Sequence, residues 1–163
     1  MKEKTRFITR AALIAAIYTV LTGISYLMGL DKGVIQLRLS EALAFLPCFV
    51  PAAVPGLFVG CLISNIVFGA ALPDIIFGSL ATLIGALGTY ALKKYPALAP
   101  LPAILANALI IPPLLIIAYN AAESYLFILL TVTAGEALTC AAMGYPIMFL
   151  LKKYGIFRFA GKK

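Results

Sequence analysis

Apolar residues fill this chain in long runs, and the polar residues collect between them in short clusters. The first run extends from Phe7 to about Leu30 and follows Lys2, Lys4, Arg6 and Arg10. Its basic start resembles a secretory leader. It nevertheless stays apolar for about 20 residues and has no clear small-x-small cleavage site, which predicts a retained helix over about 7–30. Asp31-Lys32-Gly33 is a turn signal. The next apolar stretch, about 38–69, is too long for one span, since about 20 residues cross a bilayer. Pro47, Pro51 and Pro55 punctuate it, and proline disfavours helix before it and breaks the ladder behind it. A split near Pro51 predicts a short helix over about 38–49 and a longer one over about 52–68. The remaining runs predict helices over about 74–92, 100–119 and 122–151.

This pattern predicts an all-α integral membrane bundle of six transmembrane helices forming a single domain over residues 1–163. Three basic clusters mark its topology: the N-terminal one, Lys93-Lys94, and Lys152, Lys153, Arg158, Lys162 and Lys163. Basic loops stay in the cytoplasm, so an even number of crossings must separate successive clusters. Six spans supply four and then two. Both termini are then cytoplasmic, and Asp31, Lys32, Arg38, Asp74 and Glu123 fall at or near the outer face.

Composition agrees. The chain is 63% hydrophobic with a mean hydropathy of +1.06, whereas soluble domains are about 45–50% apolar. The net charge of +7 reports topology and does not indicate nucleic-acid binding. Histidine is absent, which removes the commonest metal ligand and general base. Cys48, Cys61 and Cys140 form no CxxC pair and read as small packing residues. No GxxxxGK[ST] loop is present, so ATP hydrolysis by that route is excluded. No cofactor, metal or catalytic activity is expected.

Small residues suggest where helices touch. Ala11, Ala12, Ala15 and Ala16 form overlapping small-xxx-small pairs, suited to close packing in lipid. They serve either an internal helix contact or a docking face for another protein. Gly56, Gly60 and Ser64, and Gly78, Ala81, Gly85 and Gly88, read as internal packing. Pro112-Pro113 deprives the carbonyls of Ala108 and Leu109 of helical donors. The result is either a kink or a pocket lined by free carbonyls.

Against this background a few polar residues are conspicuous. Glu41 and Glu136 lie inside apolar stretches, as do Asn65 and Asn107, and Asp74 opens another. A carboxylate in hydrocarbon costs roughly 2.5–3.5 kcal/mol even on lenient scales, so these residues are candidates for a ligand site. Each has a structural alternative. Arg38 and Glu41 are spaced to pair on one helix turn, Asp74 can cap a helix, and the asparagines can bond neighbouring helices. Glu136 is hardest to explain structurally. No cation neighbours it on its helix, so it is either uncharged or meets a cationic or donor-rich ligand. Asn107 shares the terminal hairpin with it. Tyr18, Tyr26, Tyr119 and Tyr125 could stack on a flat ring, although tyrosine also populates membrane interfaces.

The runs Arg38-Leu-Ser-Glu41-Ala-Leu, Pro55-Gly-Leu-Phe-Val-Gly60-Cys-Leu-Ile-Ser-Asn65, Asp74-Ile-Ile-Phe-Gly78-Ser-Leu-Ala-Thr82-Leu and Gly135-Glu136-Ala resemble the QueT family over almost the whole chain. Those proteins are substrate-binding S-components of energy-coupling factor (ECF) transporters. The resemblance implies capture of a queuosine precursor, a deazaguanine base, from the outside of a bacterial cell membrane. It also implies a complex with an ECF transmembrane coupling protein and two ATPase subunits. Docking in that family uses an AxxxA motif in the first helix, which Ala12 and Ala16 match best, with Ala11 and Ala15 as an overlapping option. On this reading Glu136 and Asn107 read the base. Glu41, Asn65 or Asp74 meets its other end, Arg38 lies nearby, and the end of the third helix and the loop at about 31–37 could cover the site. Other readings are capture of a different small vitamin-like solute, a membrane assembly subunit, or an intramembrane acid protease. The last would want two facing aspartates within helices, and the chain has only Asp31 and Asp74.

Overall fold

The computed structural model describes residues 2–30, 37–119 and 123–154. All regular structure among them is helical. Helix α1 spans Lys2–Leu27 and is followed by two 3-10 turns, Leu39–Leu43 and Leu46–Cys48. Helix α2 spans Ala53–Val67, α3 Asp74–Ala91, α4 Leu101–Tyr119 and α5 Tyr125–Lys153. Helix α3 opens with a π turn, Asp74–Gly78, and α5 contains another, Ala137–Met143. Ser124 caps α5 by accepting a hydrogen bond from the Phe127 amide. The start expected near residue 122 falls among residues that are not described.

Four segments are long and apolar enough to cross a membrane: α1, α3, α4 with the short turn before it, and α5. Of the six expected spans, these four have the length and composition of a membrane crossing. At 1.5 Å per residue, the 15 residues of α2 extend about 22 Å, less than a hydrocarbon core of about 30 Å. The segment expected to be a helix over 38–49 is two 3-10 turns. Pro47 sits at the start of the second, where its missing N–H is tolerated.

The broken segment still runs the length of the bundle. At one end the Leu39 amide donates to Ser25 Oγ at 2.8 Å. At the other, the Cys48 thiol reaches the Thr89 carbonyl and the Lys152 ammonium lies 5.2 Å over the Phe49 ring. It acts as the return path that lets α1 and α2 run parallel. Their pairing is close because Gly56 and Gly60 have no side chain. A Cβ on Gly56 would lie 2.8 Å from the Ala11 carbonyl oxygen, and one on Gly60 would lie 2.8 Å from Tyr18 Cβ. Helices α3 and α4 meet in the same way, with a Cβ on Gly85 falling 2.8 Å from the Ala103 Cα.

The small-residue stripes are thereby resolved. Ala15 is buried and Ala11 half-buried against α2, while Ala12 and Ala16 face outward. Helix α4 continues through Pro112-Pro113.

The described basic clusters gather at one end. Lys93 stacks over Tyr90 just beyond α3. Lys152 lies over Phe49, and the Tyr145 hydroxyl binds the Ala97 carbonyl. The first turns of α1, Lys2–Thr9, are exposed and lie below the point where Gly56 meets Ala11.

Candidate ligand-binding site

At the opposite end the bundle opens into a cavity of about 250 Å³. It forms where α1 and α2 finish and α3 begins. Both parallel helices end on a left-handed glycine, Gly29 at φ 68° and Gly69 at φ 72°. The next residue in each case bonds back across the last turn: Leu30 to the Ser25 carbonyl, and Ala70 to that of Asn65. Such caps suit glycine because a Cβ resists this backbone conformation. They turn the chain sharply at the rim.

The contributors arrive by element. Helix α1 supplies Thr22, Ser25 and Tyr26, and Arg38 follows. From the end of α2 come Ser64, Asn65 and Phe68, and from the start of α3 Asp74 and Gly78. Asn107, Ile111 and Leu115 line one side of α4, with Val132 and Glu136 on α5. The spacing Asn107–Ile111–Leu115 is one helix face. Neither Ala108 nor Leu109 lines the cavity, so the carbonyls freed by Pro112 and Pro113 are not part of its wall.

Five of the six sequence candidates therefore share one cavity: Arg38, Asn65, Asp74, Asn107 and Glu136. Glu41 is not among its lining residues. It is 5% exposed and accepts a hydrogen bond from the buried Tyr18 hydroxyl. Its carboxylate lies behind the wall: oxygens of Glu41 and Glu136 and the Cys140 sulfur all fall within 4.8 Å of one another. Among the described residues this trio is the grouping that could hold a metal by proximity. Within it the Cys140 thiol donates to Glu136 Oε2 at 3.4 Å and the Tyr18 hydroxyl to Glu41 Oε1. Of the loop expected to cover the site at about 31–37, residues 31–36, Asp31 among them, lie outside the described residues.

The hydrogen bonds show what the cavity has left to offer. Asn65 spends its amide nitrogen on the Asp74 carbonyl at 3.2 Å and on Cys61. Asn107 spends its own on the Ala103 carbonyl at 3.2 Å. Each keeps its carbonyl oxygen. The hydroxyls of Ser25 and Ser64 donate to Leu21 and Cys61, and Thr22 bonds Tyr18 and Ser40. Acceptors thus dominate what remains. Tyr26 and Phe68 stack at 5.3 Å between centroids and add an aromatic wall.

Sequence reasoning missed Phe68 and the apolar lining of Ile111, Leu115 and Val132. One signal was readable: Phe68 directly precedes Gly69, at the end of a helix that already carried Asn65.

A profile of the QueT transporter family matches residues 8–153. The chain belongs to the QueT transporter family. It is thus a multi-pass membrane protein of a transporter family, with no enzymatic activity implied by that membership. A curated protein, "Queuosine precursor transporter QueT" of Lactococcus lactis subsp. cremoris (strain MG1363), is 37% identical over 83 residues. That match covers 51% of this QueT-family chain and 48% of the relative, so it spans about half the length of each. No solved structure matches.

Proposed function

We propose that this chain is the substrate-capture component of an energy-coupling factor importer and binds a queuosine precursor, a deazaguanine base. The observation that carries this reading is the acceptor-rich cavity: two carboxylates and two uncommitted carboxamide oxygens face one space. Such a set suits a small ligand rich in N–H donors. About 250 Å³ lies just below the usual range for small-molecule sites and fits one heterocycle. A ring can lie against Tyr26 and Phe68, with Glu136 and Asn107 accepting from its N–H edge. An aminomethyl substituent would be cationic and suit Asp74.

The described basic residues at the other end support a cytoplasmic base and a cavity open to the outside. The return segment supports six traversals in all, with both termini inside the cell membrane. The sequence has no GxxxxGK[ST] loop, which fits a division of labour in which a transmembrane coupling protein and two ATPase subunits supply the energy. The outward face at Ala12 and Ala16 is the docking surface this reading needs.

The test is the identity of the small molecule that co-purifies with the protein, read by mass spectrometry and checked by thermal shift. A deazaguanine that co-purifies and stabilises the purified chain is the expected result. A different co-purified solute, with no shift from any deazaguanine, would overturn the substrate. No bound solute and no shift from any small molecule would favour an assembly subunit.

A further inference from the structure

We infer that Arg38 selects the ligand by donating to a carbonyl oxygen adjacent to the N–H group accepted by Glu136, so that the two residues together read a lactam edge. The inference rests on the capture reading above and names the edge of the base that the cavity recognises.

Arg38 lines the cavity and is half-buried. Among the described residues, no hydrogen bond or ion pair within 4 Å reaches its guanidinium. It lies within electrostatic range of Glu41 and Glu136 without touching either. Its guanidinium carries five N–H donors and shares the cavity with Glu136. Leaving a partly buried, charged donor without a partner is costly. The other donors of the wall are spent elsewhere: the Asn65 and Asn107 amides and the Ser25 and Ser64 hydroxyls bond backbone carbonyls. Arg38 is thus the wall's strongest free donor.

A donor beside an acceptor has a definite complement. A ring edge with N–H next to C=O places its hydrogen on Glu136 and its oxygen on Arg38. Held in the same orientation, with its exocyclic atom toward Arg38, an edge with an exocyclic amine next to a bare ring nitrogen would set donor against donor and acceptor against acceptor. Sites built on such hydrogen bonds reject the mismatched analogue strongly. The planar fork of arginine also fixes direction, which a lysine ammonium does not.

The test uses the full chain in detergent or nanodiscs, titrated calorimetrically with 7-deazaguanine and with its 6-thio counterpart. The thio compound keeps every N–H group but offers a poor acceptor. The wild-type protein should bind the oxo compound about tenfold more tightly. Arg38→Met should bring that ratio close to one. Arg38→Lys retains a positive charge near Glu41 and Glu136, which favours a folded variant, and should also lower the ratio. A uniform loss of affinity for both compounds in both variants, with the ratio unchanged, would make Arg38 a charge-balancing residue and overturn the inference. Equal wild-type affinity for the two compounds would overturn it as well, while leaving the capture reading intact. A wild-type chain that binds neither would overturn both.

Discussion

The buried hydroxyl of Tyr18 donates to Oε1 of Glu41 and ties α1 to the first 3-10 turn behind the cavity wall. Tyr18 is 1% exposed and Glu41 5% exposed, so water cannot readily replace either partner. A buried acceptor that loses its donor carries its full desolvation penalty, about 1–3 kcal/mol. Tyr18→Phe should therefore lower the unfolding temperature of the purified chain clearly. Glu41→Gln, which keeps an acceptor oxygen for Tyr18, should lower it less. If the two variants unfold in the reverse order, the hydrogen bond is not what Glu41 is buried for.

Glu136 stands on the other side of that wall and lines the cavity. A charge-assisted hydrogen bond contributes about 1.5–3 kcal/mol. Glu136→Gln should thus weaken ligand binding by roughly ten- to a hundredfold. The variant should still fold, because its neighbour Cys140 is only a weak donor and is buried among apolar contacts. Isothermal titration separates these effects. Normal affinity in a folded Glu136→Gln protein would remove Glu136 from the site.

The long helices and the anomalous polar residues were legible because each departs from its background: twenty apolar residues in a row, or one carboxylate among them. What stayed hidden has no such contrast. Ile111, Leu115 and Val132 line the cavity as ordinary apolar residues in an apolar chain. Glu41, like Glu136, read as a carboxylate inside an apolar stretch, and its bond to Tyr18 on another helix has no signal in the sequence. The 38–49 segment reads as a helix by composition. Whether it coils as α or 3-10 depends on spanning the bundle with few residues between prolines. The overlapping alanine pairs could not be ranked until Gly56 and Gly60 drew Ala11 and Ala15 inward.

That ranking yields a paired prediction on one helix. Ala15 is 6% exposed, and its backbone lies 3.0–3.1 Å from where a Gly60 Cβ would stand. Ala15→Leu has no room and should cost about 1–3 kcal/mol by overpacking, read as poor folding in fluorescence-detected size exclusion. Ala16→Leu points outward and should leave folding and ligand affinity unchanged. On the capture reading it should nevertheless abolish uptake in cells that express the coupling protein and ATPases. Uptake that survives both Ala12→Leu and Ala16→Leu would move the docking surface off this face.

At the rim, Gly23 and Phe68 are matched in the same steric way. A Cβ on Gly23 would fall 2.7 Å from Phe68 Cζ, the far end of a side chain. Gly23→Ala should therefore push the ring aside and leave the backbone in place. Because Phe68 stacks on Tyr26 at 5.3 Å, the displacement should disturb the wall against which a flat ligand would lie. An aromatic pair contributes about 0.5–1.5 kcal/mol beyond its buried area. Both Gly23→Ala and Phe68→Leu should then weaken binding of a planar base by severalfold. Helix content by circular dichroism should not change. The loss should come mainly from faster dissociation, measured by ligand chase, since such contacts act on the bound state more than on the encounter. A slower on-rate with an unchanged off-rate would instead make Phe68 part of the entrance and not of the wall.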